Sequence, residues 1–496
     1  MNNTSIRIEF TIPETVVVIT KTLKDAGFEA YLVGGCVRDL FLNKKPKDWD
    51  ITTNARPETV VNLFPHTFYE NEFGTVGVVT EGVDDVTLET VEVTTYRSEA
   101  EYSNNRHPDS VTFSETLQDD LKRRDFTFNA LAYDVENKFV FDYYNGIADL
   151  REGLVRTVGE PHERFTEDAL RIMRAIRLAV EHNFTIESET EREIQNVAQN
   201  LDSIAVERIR DEFSRILLSQ NPMYGIELLA KVSVLERFLP ELLEAKGVEQ
   251  GGIHTYDVWE HLLRSLQHSA DKGWELHIRL SALFHDIAKP ETRRKGAGDK
   301  KWTFFGHEVV GARKAKKILE RLKYPKHIIQ KVTTLVRWHM FFSDTDQITL
   351  SAVRRMIANV GKENIWDLMN VRICDRIGTG RPKEDPYRLR KYHAMIEEAL
   401  RDPLTVGMLA IDGNRLIELT QSKPGSHIGL ILHALLEEVL DDPKRNTSDY
   451  LENRAIELYS LPEKELKELG TKGKERQKIE DSAETKKILQ KYSVKK

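Results

Sequence analysis

Tyr31-Leu-Val-Gly-Gly-Cys-Val-Arg-Asp39, with Asp48-Trp-Asp50 close behind it, decides how this chain is read. The apolar run Ala30–Val33 has the length of a buried strand, and Val37–Leu42 reads as the start of a helix. Between them, Gly34 and Gly35 permit a tight turn and the close approach of an anion to free backbone N–H groups. Arg38, one turn into the helix, adds a charged donor. A glycine pair after a strand is also an ordinary structural turn, so the aspartates carry the weight. If 48–50 is extended, Asp48 and Asp50 point to one face while Trp49 packs on the other. Converging carboxylates offer the oxygen ligands that suit Mg²⁺ on a nucleotide's phosphates, although an isolated Asp-x-Asp is more often a solvated turn.

Working outward, Val76–Thr80, Val86–Thr95 and Phe139–Tyr143 show the β-branched alternation of strands. The N-terminal part is therefore α/β or α+β, built around one sheet. Glu89 and Glu92 lie on the second of these strands, and either can supply a third carboxylate; Glu92 is preferred. The segment Asp120-Leu-Lys-Arg-Arg-Asp-Phe-Thr-Phe-Asn-Ala130 holds three consecutive cations, a solvated run in most proteins. Followed by Asp125 and Asn129 and placed after that sheet, Arg124 becomes a candidate triphosphate clamp.

The texture changes near Gly159-Glu160-Pro161, and Thr166 to about Leu218 reads as helical. Thr166 is an N-cap type followed by acids, and Ile172, Met173, Ala175, Ile176 and Ala179 supply a packed side. Asp168, Arg171, Arg174 and Arg177 recur every three residues and wind slowly around this helix. They form either a charged face with Asp–Arg pairs or a reader of nucleotide bases. An aspartate beside an arginine presents an acceptor and a forked donor in one plane, which matches the amino-bearing edges of cytosine and adenine. Uracil and guanine would set a carbonyl against the carboxylate, a loss of roughly 1–3 kcal/mol.

The chain has 496 residues, enough for about three or four modules. Its hydrophobic content of 40% excludes a wholly disordered chain. The net charge of −8 excludes a histone-like polycation, so any nucleic acid is held by a local patch. Cys36 and Cys374 cannot build a disulfide framework and suit a reducing compartment. No basic stretch with an apolar h-region opens the sequence, and no apolar run approaches the roughly 20 residues needed to span a bilayer. A cytoplasmic protein without a membrane partner is expected.

Taken in this order and spacing, Gly34-Gly35-Cys-Val-Arg38-Asp39, Asp48-Trp-Asp50, Arg123-Arg124-Asp125-Phe-Thr-Phe-Asn129-Ala130 and Glu167-Asp168-Ala-Leu-Arg171 resemble the class II tRNA nucleotidyltransferases. These are the CCA-adding enzymes of the poly(A) polymerase type. The resemblance implies a polymerase beta-like mixed sheet with helices, then an all-α neck, body and tail. It implies that Asp48 and Asp50 hold catalytic Mg²⁺ and that Gly35, Arg38 and Arg124 contact nucleotide. Asp168 and Arg171 then read the base, and Arg174 and Arg177 complete the site. The implied reaction is in-line attack by the tRNA 3′ hydroxyl on the α-phosphorus of CTP or ATP, with pyrophosphate leaving. Cys36 is expected to pack, not to act as a nucleophile. Family members that add only cytidines lack a segment present here from Tyr96-Arg97 to Pro108-Asp109, which favours full CCA addition. Adenosine-adding specialists, bacterial poly(A) polymerases and an RNA-end metal phosphohydrolase are the alternatives.

Further on, His261, the pair His285-Asp286 and Asp375 sit on expected helices. Separated imidazoles with a His-Asp pair can chelate a divalent metal and activate water, and His307 and His339 could join as ligands of a second one. A lone histidine is usually structural; a His-Asp doublet with flanking partners is less often so. This region resembles the HD phosphohydrolases, which implies a second divalent transition metal and leaves hydrolysis open. Cys374 stands where many HD domains have alanine. The expected divisions are a nucleotidyltransferase head at 1–158, a base-reading and RNA-binding neck at 159–245, an HD-type domain at 246–400, a tRNA-binding tail at 401–466 and a Lys-rich extension at 467–496. In the tail, Pro424-Gly-Ser-His-Ile-Gly reads either as an N–H cradle for an RNA phosphate or as an ordinary helix start.

Overall fold

The computed structural model describes residues 5–70, 74–99, 111–251, 255–296, 302–341, 348–403, 405–466 and 468–469. The chain divides into two compact units, one of residues 1–243 with 321–323, the other of residues 244–320 with 324–496. The first is α+β and the second helical, as the sequence reading expects. Most of the segment between Tyr96 and Asp109, and nearly all of the C-terminal extension, lie outside the described residues.

The first unit is built on an eight-stranded mixed sheet. Across it run Ser5–Arg7, Phe139–Asp142, Leu131–Asp134, Ala30–Val33, Asp50–Thr53, Thr90–Thr95, Thr75–Val79 and Thr67–Tyr69. All neighbours are antiparallel except Asp50–Thr53 and Thr90–Thr95, which pair in parallel. Alternation gives this sheet two unlike faces. Ile51, Val76, Val78, Val91 and Val93 are buried on one side. The register sets Asp50, Glu92, Gly77 and Phe68 in a row on the other. The helix Glu14–Asp25 buries Val16, Ile19, Thr20 and Leu23, an i, i+3, i+4, i+7 stripe, and ends before Gly27 at φ +88°.

One expectation fails in part here. Val86–Thr95 is not a single strand: Val86–Leu88 form a 3-10 turn capped by Asp85, whose Oδ1 accepts from Thr87 N at 3.1 Å, and the strand begins at Thr90. Asx capping outcompetes β-propensity at that point.

In the second unit the helix Leu276–Phe284 is buried from His277 onward, polar residues His277, Arg279 and Ser281 included, which makes it the central element. It packs on Val258–Asp271, Lys326–Trp338 and Ile365–Gly378. The helix Ser426–Asp441 follows Gly425, and the buried face from Ile428 to Leu440 joins the apolar core of this unit. Among the described residues no helix is long and apolar enough to cross a membrane.

Candidate functional site

Gly34 leaves the strand Ala30–Val33 at φ +75°, a conformation that glycine adopts without strain, and the helix Gly35–Phe41 follows at once. The space above the turn is occupied by charge. A Cβ at Gly34 would lie 3.2 Å from Arg124 Nη1 and 3.3 Å from Asp50 Oδ2; one at Gly35 would lie 3.4 Å from Arg38 Nη2 and 3.8 Å from Asp48 Oδ1. Both carboxylates therefore face the glycine turn, and Trp49 between them is buried. Asp48 precedes the ladder, which starts at Asp50. The backbone is already paired at position 49, where Trp49 O accepts from Glu92 N at 3.0 Å.

Glu92 lies directly opposite Asp50 on the parallel strand, whereas Glu89 is exposed at the end of the 3-10 turn. Burial, then Asp48 and Glu92, push Asp50 up to about 7 against the opposing pull of Arg124 and Arg38. Glu92 is raised as well, by burial and by Glu70 and Asp48. Such a crowd of carboxylates fits a bound cation. A pH effect follows. Asp50 takes up a proton on folding between its ordinary 3.8 and about 7, so this contribution to stability is lost as pH rises through that window. Denaturation of the metal-free protein should show Asp50→Asn gaining on the native chain by on the order of 2 kcal/mol between pH 5 and pH 8. A constant difference between the two chains would contradict the crowding.

The cations around the turn are held by buried acids. Asp120 is fully buried; its Oδ1 accepts from Arg123 Nη2 at 2.6 Å, and its Oδ2 accepts from Arg124 Nη2 at 3.2 Å and from Thr52 Oγ1 at 3.1 Å. Burial would raise this acid, but Arg123 and Arg124 bring it down to about 2. Arg124 Nε is buried with no hydrogen-bond partner among the described residues, a donor consistent with an anion at the turn. Arg38 Nη1 donates to Asn129 Oδ1 at 3.0 Å, and Asn129 Nδ2 donates to Asp125 Oδ1 at 3.0 Å. Arg174 closes this chain with Nε and Nη2 on Asp125 Oδ2 at 2.9 and 2.7 Å. Cys36 is buried, and burial pushes its thiol up to about 12, which suits packing and not nucleophilic attack.

The arginine helix differs from expectation. It does not open at Thr166: that residue belongs to the preceding helix Pro161–Glu167, the backbone breaks at Asp168 (φ −140°, ψ 102°), and a new helix runs Leu170–His182. Asp168 marks the break, its Oδ1 accepting from Leu170 N at 3.0 Å. Its Oδ2 accepts from Arg208 Nη2 at 2.9 Å, so the aspartate is not paired with Arg171. Arg171 instead donates to Glu167 Oε2 at 2.6 Å and to Arg123 O at 3.0 Å, which ties it to the segment that carries Arg124. Arg177 is buried between Glu212 and Glu181 at 2.5 Å each, apart from the glycine turn's network. Asp120 was within reach of sequence reasoning, since it stands four residues before Arg124. Arg208, forty positions from its partner, was not.

The second unit holds a separate cluster. His261, His285, Asp286 and Asp375 form one group able to hold a metal, and Asp286, His307 and His339 form another. Three of the imidazoles are oriented alike: the Nδ1 atoms of His285, His307 and His339 bond Ala282 O, Phe304 O and Val336 O at 2.8, 2.6 and 2.7 Å. Donating from Nδ1 leaves Nε2 as a lone pair. These Nε2 atoms lie 3.3, 3.1 and 3.6 Å from Asp286 oxygens. His261 Nε2 comes within 2.8 Å of His285 Nε2 and 3.1 Å of Asp286 Oδ2. Lone pairs converging on a buried carboxylate are a donor set that fits divalent cations. Lys289, absent from the sequence expectations although three residues past Asp286, bonds Asp286 Oδ2 at 2.5 Å and Gln250 Oε1 at 2.6 Å.

Residues 30–156, which contain the glycine turn with Asp48, Asp50, Glu92 and Arg124, match the family model of the poly A polymerase head domain. Residues 183–246 match a probable RNA and SrmB-binding site of polymerase A, and residues 258–376 match the HD domain. The class is thus a nucleotidyltransferase head joined to an HD domain. Over 439 residues the chain is 33% identical to the CCA-adding enzyme of Lactiplantibacillus plantarum, covering 87% of this chain and 93% of that one. The CCA-adding enzyme of Pediococcus pentosaceus is 31% identical over 447 residues, 89% and 96% of the two chains. Among solved structures, the Bacillus stearothermophilus CCA-adding enzyme in complex with CTP superimposes with a TM-score of 0.67 at 26% identity, covering 90% of this chain and 98% of that one. The chain belongs to the CCA-adding enzyme family.

Proposed function

We propose that this protein adds and repairs the 3′-terminal CCA of tRNA from CTP and ATP without a nucleic-acid template. The observation that carries the reading is the glycine turn on which Asp48, Asp50, Arg38 and Arg124 converge, with Glu92 alongside. Asp48 and Asp50 would hold Mg²⁺, which supplies polarisation of the attacking hydroxyl and neutralisation of phosphate charge. Gly35 lets the triphosphate approach the backbone, and Arg38 and Arg124 bind its oxygens. The acceptor's 3′ oxygen forms the new bond to the α-phosphorus while the bond to pyrophosphate breaks. Glu92 is the third carboxylate of this site. Asp168 and Arg171 read the base, with Arg208 fixing the plane of the Asp168 carboxylate, and Arg174 and Arg177 support them from the neck at 159–245. The tail at 401–466 contributes to tRNA binding. A cytoplasmic location accompanies this reading.

Given tRNA lacking its last three nucleotides, CTP alone should yield a two-nucleotide extension and CTP with ATP a complete end. Extension by ATP alone would favour an adenosine-adding specialist. Asp168→Ala should relax discrimination against UTP and GTP by about 10-fold, equivalent to roughly 1.4 kcal/mol, with a smaller effect on the KM for CTP. Unchanged selectivity in single-nucleotide incorporation would remove Asp168 as a base reader.

A second activity, metal-dependent hydrolysis of phosphate esters at RNA ends, is supported by the five ligands that converge on Asp286. His261, His285, Asp286 and Asp375 would hold one divalent metal, and His307 and His339 would share Asp286 with another.

A further inference from the structure

Phe68 is a large apolar side chain that remains 42% exposed on the outermost strand of the sheet, on the same face as Asp50 and Glu92. Its place there is built in. The residue opposite it is Gly77, where a Cβ would fall 2.5 Å from Phe68 Cζ and 2.7 Å from Cε1, so only glycine lets the ring rest on the sheet. Glycine within a strand gives up packing and backbone entropy, and here it does so to seat an aromatic ring that stays open to solvent. The row Asp50, Glu92, Gly77 crosses adjacent strands about 4.8 Å apart, which puts the ring roughly 10 Å from the Asp50 backbone, within one nucleoside's reach.

The strand order decides what this shelf faces. The Gly34-Gly35 turn and Arg38 follow the strand on one side of Asp50; Glu92, Gly77 and Phe68 stand on strands of the other side. In-line displacement needs the attacking and leaving oxygens on opposite sides of the phosphorus. With pyrophosphate at the arginine-lined turn, the attacking strand arrives over Glu92. Glu70, two residues from Phe68 and on the same face, and Glu92 would repel a phosphate there, which leaves a base to occupy the shelf.

We propose that Phe68, seated on Gly77, is a stacking platform for the 3′-terminal base of the acceptor RNA, and so a positioning residue for the attacking hydroxyl; this rests on the nucleotidyltransferase reading above. The test uses the full chain and a tRNA without its CCA end, carrying 2-aminopurine as the terminal base and a label at its 5′ end. Without CTP or ATP, the native protein should quench 2-aminopurine as binding, followed by anisotropy of the 5′ label, saturates. Phe68→Leu and Gly77→Ala should lose most of the quench, while Phe68→Trp should retain it. In kinetics on a tRNA lacking CCA, Phe68→Leu should raise the KM for RNA by about 10-fold and move the KM for CTP by less than about 2-fold. Normal extension with a quench that ignores Phe68, or KM values for RNA and CTP that shift together, overturns the platform alone. Failure of the native protein to extend the RNA overturns the enzymatic reading and the platform with it.

Discussion

Asp48→Ala is expected to lower kcat for CTP incorporation into truncated tRNA by at least about 1,000-fold, roughly 4 kcal/mol of transition-state stabilisation. Thermal stability should change little. The Asp48 side chain is exposed and enters no hydrogen bond or ion pair among the described residues, so nothing in the fold depends on it. Removing it also relieves the repulsion that raises Asp50. A variant that keeps its fold and its affinity for tRNA while losing incorporation places the defect at the metal. Substantial residual incorporation would mean that Asp50 and Glu92 hold the cation without Asp48. Any hydrolysis of RNA ends should be untouched, because its ligands belong to the other unit.

Asp286→Asn should remove the metal content of the HD cluster altogether, since Asp286 belongs to both ligand groups. After loading with Mn²⁺ and dialysis, elemental analysis of chains that also carry Asp48→Ala and Asp50→Asn should find metal where Asp286 is kept and none above background where it is asparagine. His339→Ala should keep the metal held by His261, His285, Asp286 and Asp375. The asparagine also removes the charged partner of Lys289, whose ammonium sits 2.5 Å from Asp286 Oδ2 and keeps only the neutral Gln250 Oε1, and breaking a buried pair costs about 3–5 kcal/mol. Asp286→Asn alone should therefore melt at lower temperature while CTP incorporation below that temperature stays within about 2-fold. Undiminished metal content would exclude Asp286 as the shared ligand.

How far these sites were legible in the amino-acid sequence varied with the range of the contact. The turn at Gly34-Gly35 and the acids at 48 and 50 were readable because glycine pairs and alternating carboxylates act over a few residues. Glu92 was preferred over Glu89, and its place opposite Asp50 comes from the register of two strands forty residues apart. The HD ligands were identifiable by type, and their helices bring all six together. The helix break at Asp168 was missed because both Thr166 and Asp168 are capping residues, and their local chemistry does not rank them. The partners Arg208 and Glu212 owe their roles to packing between elements, which spacing along the chain does not encode, whereas Lys289 is a local i, i+3 partner of Asp286. Val86–Leu88 was misread for a local reason, an Asp85 cap overriding three residues of strand-like composition.

The most direct measurement supplies the purified protein with a tRNA ending before its CCA and all four nucleoside triphosphates at equal concentration, then sequences the product ends. A centre that combines the Asp48–Asp50 metal site with a reader of amino-bearing bases requires ends of C, C and A, with growth stopping after the third nucleotide. Ends carrying U or G, adenosine tails of variable length, or no growth at all would contradict it.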